Sequence, residues 1–204
     1  MKLYFAALAP NPERVRYFLQ EKGVWDQIPR QDINIIKQDH RQPEYLALSP
    51  AGHVPALEFD DGTALTESRA ICSYFEALYP EPNLMGADPL EKARIEMWDR
   101  RVELMYFIQL AGWFRNSHPA MAELEKPQSA EWAGISEGRA RKAAAFFDKR
   151  LGEAPYVAGE RFSIADITLH VTVSWGRIVK FRPWEEHKNI ADWRDRMLAR
   201  PGLK

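Results

Sequence analysis

The sequence predicts a two-part protein, an α/β domain followed by an all-helical domain. In the first 80 residues, short apolar-polar alternations and helical patterns follow one another as strand, helix, strand, helix, strand, strand, helix. A proline-rich break covers residues 79–83, and the stretch after it contains helical stripes and no convincing strand. We therefore place an α/β domain at residues 1–80, a linker at 81–87 and an all-helical domain at 88–204.

The strands of the first domain are predicted from alternation and from one turn. Asp61-Gly62 is a typical two-residue hairpin turn between two short apolar runs. The predicted strands are residues 2–6, a segment marked by Ile33 and Ile35, residues 56–59 and residues 63–65.

The first and third helices have recognisable starts. Asn11 is a good N-cap, and Pro12 suits the first helical position because its missing N–H would have no partner there. We therefore expect a helix from Glu13 to Lys22, which Gly23 terminates, and a further helix over residues 67–78.

The second domain is predicted to contain long helices. One runs from Pro89 to about Arg115, and a second ends near Leu151. A further helix starts at Ser163, where Ser163 and Asp166 have the spacing of a capping box. The last helix carries Ile190, Trp193 and Met197 at helical spacing.

Composition excludes several functional classes. The net charge is −1 and the basic residues are scattered, so the sequence indicates neither nucleic acid nor an anionic membrane as a partner. The single cysteine, Cys72, rules out an internal disulfide, a redox pair and a cysteine-rich zinc site. No signal segment and no membrane-spanning run is apparent, so we expect a cytoplasmic protein without a metal.

Six short motifs in register resemble those of cytosolic glutathione transferases. They are PNPERVR at 10–16, EKG at 21–23, SPAGHVPAL at 49–57, DG at 61–62, LTESRAI at 65–71 and GERFSIADI at 159–167. The resemblance is greatest to the theta-related bacterial and fungal group, which includes a subclass without the usual catalytic Ser, Tyr or Cys. It implies a thioredoxin-like N-terminal domain that binds glutathione, a helical C-terminal domain, a homodimer and a role in detoxification.

The resemblance assigns glutathione binding to residues of the first domain: His40, His53, Val54, Pro55, Glu67 and Ser68. Val54 would pair its backbone with the ligand as one added rung of strand, beside a Pro55 expected to be cis. Glu67 would accept from the ligand ammonium, and Ser68 at a helix start would bind a carboxylate. Both residues could instead only cap their helix, and Arg69 is expected on the surface or at the dimer interface.

The catalytic position departs from the usual family pattern. Residues 5–13 contain no Ser, Cys or Tyr. Tyr4 is one residue too early, and such an offset in a strand places a side chain on the opposite face. The remaining candidate is Asn11, with the N-terminus of the first helix, unless its side chain caps that helix.

The second-substrate pocket is expected between the two predicted domains, with candidate walls from the helical one. Its candidate walls are Met105, Tyr106, Trp113, Phe114, Arg115 and Trp175. Ordinary core packing explains each of them equally well, and either Arg115 or Asn116 could assist catalysis.

These observations predict a glutathione transferase, with glutathione as co-substrate, that activates the thiolate for attack on small hydrophobic electrophiles. Peroxide reduction is a further possible activity. The alternative is a glutathione-binding or ligand-binding regulatory protein on the same fold with little turnover. A reductase that forms a mixed disulfide is disfavoured because no cysteine lies near the first helix.

Overall fold

The structure, a computed structural model, describes residues 1–203 and divides into two compact units. The first comprises Met1–Asn83 together with the chain from Pro201 onward, and the second comprises Leu84–Arg200. Strands occur in the first unit, while the described part of the second is helical, which confirms the predicted fold class. No helix in the described chain is both long and apolar enough to cross a membrane.

The first unit is built on a four-stranded sheet in the order β2-β1-β3-β4. β1 pairs in parallel with β2 and antiparallel with β3, and β3 pairs antiparallel with β4. The elements are β1 Lys2–Phe5, α1 Pro10–Glu21, β2 Arg30–Asp32, α2 Pro43–Leu48, β3 Ala56–Glu58, β4 Ala64–Thr66 and α3 Ser68–Leu78. The order predicted from the sequence is confirmed.

The predicted position of the second strand is wrong. β2 contains three exposed polar residues and ends before Ile33, whose N–H donates to the Phe5 carbonyl at 2.7 Å. As an edge strand, β2 pairs with β1 alone, so its side chains need no apolar alternation. The isoleucine pattern therefore marks the segment after the strand.

The prediction that Asn11 caps α1 is also wrong. The helix begins at Pro10 with Ala9 as N-cap, so Asn11 is the second helical residue. Pro10 itself occupies the first helical position, where a fixed φ and a missing N–H are both tolerated. The earlier proline starts the helix, and Asn11 has a different environment from the one expected.

The second unit contains the predicted long helices. α4 Pro89–Arg101 continues through a π-helical segment, Val102–Phe107, into α5 Ile108–Ser117, so the expected long helix is one run with a wider turn in its middle. The later helices are α6 Ala130–Glu153, α7 Ile164–Trp175, α8 Pro183–Glu186 and α9 Lys188–Leu198. On α9, Ile190, Trp193 and Met197 are fully buried, as their spacing predicted.

The start of α7 is held by a buried carboxylate. The capping box between Ser163 and Asp166 is present. Asp166 also accepts from the Val157 N–H at 2.9 Å and from Nε1 of Trp193 at 3.0 Å. It thereby joins the start of α7 to the preceding loop and to α9, which is more than a local cap.

The C-terminal residues pack on the first unit. Gly202 lies against the end of α1, where a Cβ would come within 2.7 Å of Oε1 of Glu21 and 2.9 Å of its backbone nitrogen. A glycine is therefore required by close approach. The three residues from Pro201 to Leu203 carry no pattern in the sequence that would have indicated this contact.

Candidate functional site

The strand register brings the end of β1, the start of β3 and the end of β4 together. They lie along one edge of the sheet, the one that is formed by strand ends. Ala56 lies opposite Thr66 in β4 and opposite Tyr4 in β1. The ladder stops one residue further along because Pro55 has no N–H to donate. By continuation of the register, Val54 and Ser68 lie at this same edge, where the chain leaves β1 for α1 and β4 for α3.

The backbone N–H and C=O of Val54 have no partner in the described chain, although hydrogen bonds hold the residue before it in place. The peptide bond between Val54 and Pro55 is cis, as expected. The preceding His53 carbonyl accepts from the Tyr45 hydroxyl at 2.7 Å and from the Ser49 hydroxyl at 2.9 Å. Val54 packs its side chain on a core cluster that includes Tyr45, whereas its own N–H and C=O form no hydrogen bond within residues 1–203. The result is one open backbone rung on a rigid loop.

Glu67 is strained and does not cap α3. Its φ of 69° and ψ of 118° lie outside the regions that non-glycine residues favour. Such residues are found at functional sites more often than elsewhere. Glu67 is the N-cap by position, yet its side chain makes no capping hydrogen bond and is exposed. Ser68, the first helical residue, is buried. The helix start therefore combines an available carboxylate, a hydroxyl and the positive end of a helix dipole.

The two histidines lie close enough to interact. His40 is buried in a 3₁₀ turn, Asp39–Arg41, and its Nδ1 has no hydrogen-bond partner in the described chain. Burial, together with the charges of Arg41 and of the exposed His53, lowers the pKa of His40. Gly52, at a φ of +63°, lets Arg41 approach, since a Cβ there would lie 2.7 Å from a guanidinium nitrogen. Arg41 was not among the site residues predicted from the sequence. Its place next to His40 in the chain was the signal that could have identified it.

Among the described residues at the start of α1, Asn11 alone has hydrogen-bond donors without a partner. Pro10 and Pro12 have no N–H, and the N–H of Glu13 already bonds the Ala9 carbonyl at 3.0 Å. The N–H and side-chain amide of half-buried Asn11 bond to no other described residue. The partial positive charge of the helix is thus presented through one residue.

The side chain of Tyr4 is hydrogen-bonded and packed within the sheet. Its hydroxyl donates to Glu58 on the neighbouring strand at 2.9 Å, and Lys2 lies over its ring. The ring also packs edge-on against Tyr45. These contacts give Tyr4 a packing role within the sheet.

The candidate second-substrate residues of the second unit separate into different environments. Phe114 packs on Trp175, with ring centres 5.2 Å apart, and both are half-buried. Phe107 and His118, which the sequence reasoning missed, extend this cluster. The remaining candidates lie apart from it: Tyr106 is fully buried and stacks on Phe147, Trp113 packs on Phe181, and Met105 is exposed.

Arg115 and Asn116 both have structural partners. Arg115 pairs with Glu125 at 3.2 Å. Asn116 donates to the Gly112 carbonyl at 3.0 Å and accepts from the Ser129 N–H at 2.9 Å. Asn116 therefore ties the end of α5 to the start of α6.

The first unit is an α/β domain of the thioredoxin-like type, in which two helices start at one edge of the sheet. The second unit is an all-helical domain. The sequence profile of the glutathione S-transferase N-terminal domain matches residues 3–83, and that of the C-terminal domain matches residues 104–201. Within the part of the chain that the structure describes, no three His, Cys, Asp or Glu side chains are grouped to hold a metal ion.

Two relatives and one solved structure agree with the profiles. Glutathione S-transferase 2 of Saccharomyces cerevisiae is 38% identical, over 100% of this chain and 88% of the yeast protein. The crystal structure of Gtt2 from Saccharomyces cerevisiae superposes with a TM-score of 0.93 at 38% identity, covering 100% of this chain and 98% of that one. Maleylacetoacetate isomerase of Pseudomonas aeruginosa is 31% identical over 94% of this chain and 90% of the isomerase. The chain belongs to the glutathione S-transferase family.

Proposed function

We propose that this glutathione transferase binds glutathione at the sheet edge of the first unit and activates its thiol for attack on small apolar electrophiles. The observation that carries the proposal is the convergence there of an open backbone rung and two helix starts. An extended, anionic peptide needs each of these features.

The binding half of the site follows from charge and hydrogen bonding. Val54 offers both backbone groups to the cysteinyl part of glutathione, as one added rung of antiparallel strand. Ser68 and the start of α3 suit the γ-glutamyl carboxylate, while the free carboxylate of Glu67 suits the ammonium group. His40 and His53 lie together in the adjoining loops, where they suit the glycyl carboxylate.

The activating half rests on Asn11. A free thiol has a pKa of about 8.5, so little of it is ionised at neutral pH. A hydrogen bond from the Asn11 amide, together with the positive end of α1, stabilises the thiolate over the thiol. The thiolate then attacks the electrophilic carbon, and the leaving group departs with its electron pair.

The electrophile is a small hydrophobic molecule. The half-buried cluster of Phe114 and Trp175 supports an apolar binding surface in the second unit. Peroxide reduction is a second use of the same thiolate, in which two glutathione molecules are oxidised to the disulfide as the peroxide becomes an alcohol and water.

A homodimer is part of the proposal. The helical run over residues 89–117 and α6 carry several exposed apolar side chains: Met97, Leu104, Met105, Ile108, Trp132, Ile135 and Phe146. A monomer rarely exposes so many on neighbouring elements, because contiguous apolar surface is costly in water. A second copy of this chain is the partner we assign to this surface. A cytoplasmic location and a role in detoxification remain predictions.

The test separates a transferase from a binding protein on the same fold. The ultraviolet thiolate absorbance of bound glutathione is titrated against pH, and conjugation of chlorodinitrobenzene is measured in parallel. We expect a bound thiol that titrates clearly below its free pKa, together with turnover. A thiol that binds, titrates at its free value and does not react would identify a binding protein instead.

A further inference from the structure

A cleft of about 390 Å³ opens in the second unit, and none of its lining residues belongs to the proposed glutathione site. One wall is the first two turns of α4, where Leu90, Glu91, Arg94 and Ile95 share one face of the helix. The other wall is the loop over residues 158–161, which precedes α7. The volume lies within the range that is usual for small-molecule sites. We call this feature the α4 cleft.

Both walls of the α4 cleft are held rigidly. Asp88 caps the start of α4 through its side chain. In the loop, the N–H of Val157 donates to the buried Asp166 at 2.9 Å, and the Val157 carbonyl accepts from Nε of Arg150 at 2.9 Å. The cleft is therefore already formed in the free protein, and a ligand would not have to order either wall.

Two of the charged side chains in the cleft already satisfy each other. Glu91 on α4 pairs with Arg161 on the loop, and it also accepts from the Ala87 N–H at 2.7 Å. Together these donors lower the pKa of Glu91 to about 2. The ion pair joins the two walls, so neither Glu91 nor Arg161 needs a ligand.

The other two charges are not matched. Arg94 on α4 and Glu160 on the loop both line the cleft, and both are exposed. Neither forms a hydrogen bond or an ion pair with any residue of the described chain, and they do not pair with each other. The α4 wall also carries Leu90, which is 60% exposed, above the buried Ile95. The cleft thus presents one free cation, one free anion and an apolar surface.

We propose that the α4 cleft binds a small aliphatic zwitterion. Its carboxylate would pair with Arg94, its ammonium group with Glu160, and its aliphatic part would cover Leu90. Other ligand classes fit these walls less well. An anion would meet the carboxylate of Glu160, a cation would meet the guanidinium of Arg94, and an uncharged apolar molecule would take water from both charges without replacing it.

The test is an NMR titration of the full chain with four aliphatic probes. Leucine carries both charges on one carbon, 6-aminohexanoate carries them at the two ends of a chain, and hexanoate and hexylamine carry one charge each. Amide signals of residues 158–161 and of α4 report binding. The variants are Arg94→Gln and Glu160→Gln. Lys92→Gln and Glu131→Gln are the matched controls, at exposed charges that do not line the cleft.

We expect at least one zwitterion to shift these signals, and to bind about fivefold more tightly than hexanoate or hexylamine. Arg94→Gln and Glu160→Gln should each raise its Kd about fivefold, the upper range for an exposed ion pair. Both controls should bind as the wild type does. All four variants should melt at the wild-type temperature, because none of the altered side chains has a partner in the described structure. Binding of leucine would indicate an α-amino acid, and binding of 6-aminohexanoate alone a ligand with separated charges.

Three results would overturn the assignment. The first is that neither zwitterion shifts the signals of the cleft. The second is that hexanoate or hexylamine binds as tightly as the zwitterions do, and the third is an unchanged Kd in both Arg94→Gln and Glu160→Gln. Failure of the proposed glutathione site would leave the assignment intact, because the two sites share no residue.

Discussion

Asn11 stands between two prolines at the start of α1, and this placement determines what the helix can offer a ligand. A helix start normally presents several free N–H groups, but here Pro10 and Pro12 remove two of them. The backbone N–H and the side-chain amide of Asn11 are what remains. We therefore propose that thiol activation in this chain depends on Asn11, a residue that is not itself a nucleophile or a base.

Replacement of Asn11 should raise the pKa of bound glutathione. In Asn11→Ala we expect an increase of about 1–2 pKa units, because a hydrogen bond to a charged group contributes about 1.5–3 kcal/mol. Asn11→Asp should have a larger effect, since a carboxylate repels the thiolate. The measurement is the thiolate titration, with Asn34→Ala as the control for an asparagine elsewhere in the unit. An unchanged titration in both Asn11 variants would assign activation to another group.

Tyr4 provides the opposite case, a phenol near the site that should not matter for catalysis. Tyr4→Phe removes the hydrogen bond to Glu58 and should lower the free energy of unfolding by about 1 kcal/mol. Steady-state turnover should stay within twofold of wild type. Denaturant unfolding measures the free energy of unfolding, and a conjugation assay measures turnover. A large loss of kcat at full stability would contradict the packing role.

Some features of these individual residues were predicted from the sequence, and others were not. The strand period predicts that Tyr4 faces away from the sulfur, because an offset of one residue in a strand reverses the face, and this stays a prediction. The role of Asn11 as N-cap was wrong, because two starts were available within three residues and the earlier proline prevailed. The strained backbone of Glu67 and Leu8 could not be predicted, because neither residue type favours a positive φ.

Among the elements, the start of α7 depends on one buried carboxylate. Asp166 accepts hydrogen bonds from Val157, from Trp193 and from both the N–H and the hydroxyl of Ser163. Burial raises the pKa of Asp166 to about 6, and these hydrogen bonds act in the opposite direction. The capping box is thus the local part of a network that joins α7 to α9.

Asp166→Asn should destabilise the protein by about 3 kcal/mol near pH 4. The amide keeps one acceptor oxygen and turns an NH₂ group toward N–H donors, which leaves buried groups unsatisfied. Because the folded-state pKa of Asp166 lies above its ordinary value, its contribution to stability is complete below about pH 4. That contribution falls as the pH rises through about 6.

The pH dependence provides the check. Between pH 4 and pH 7 the wild type should lose up to about 3 kcal/mol more stability than Asp166→Asn, since one pKa unit corresponds to about 1.4 kcal/mol. Denaturant unfolding at the two pH values measures the difference, and groups common to both proteins cancel. Parallel pH profiles would show that the carboxyl does not titrate in this range.

Elements with a strong local pattern were predicted, and those without one were not. The long helices, the hairpin at Asp61-Gly62 and the capping box each have a signal within a few residues. The hairpin loop has three residues, 60–62, and the prediction of a two-residue turn is wrong, because the Phe59 N–H already pairs with the Thr63 carbonyl. β2 has none, because an edge strand with exposed side chains is held by backbone pairing with β1 alone. The π-helical segment, Val102–Phe107, likewise shows no departure from the ordinary helical pattern in the sequence.

For the whole molecule, the exposed apolar side chains of the second unit should be covered by a second copy. Leu104→Glu combined with Ile108→Glu should shift the dimer toward monomer, because burying two unpaired carboxylates costs several kcal/mol. Sedimentation at several concentrations measures the change. Leu198→Glu, a matched change at an exposed leucine of α9, should leave the dimer intact. A wild type that is monomeric at all concentrations would refute the proposed partner.

The central claim is that Glu67 and Ser68 hold glutathione, and calorimetry tests it most directly. Each of Glu67→Ala and Ser68→Ala should weaken glutathione binding by about 1–3 kcal/mol, which is a roughly fivefold to 150-fold rise in Kd. Ser73→Ala, at an exposed serine of the same helix, serves as the control and should bind as the wild type does. If all three variants bind glutathione with the wild-type Kd, the ligand does not occupy the start of α3 and the proposed site is wrong.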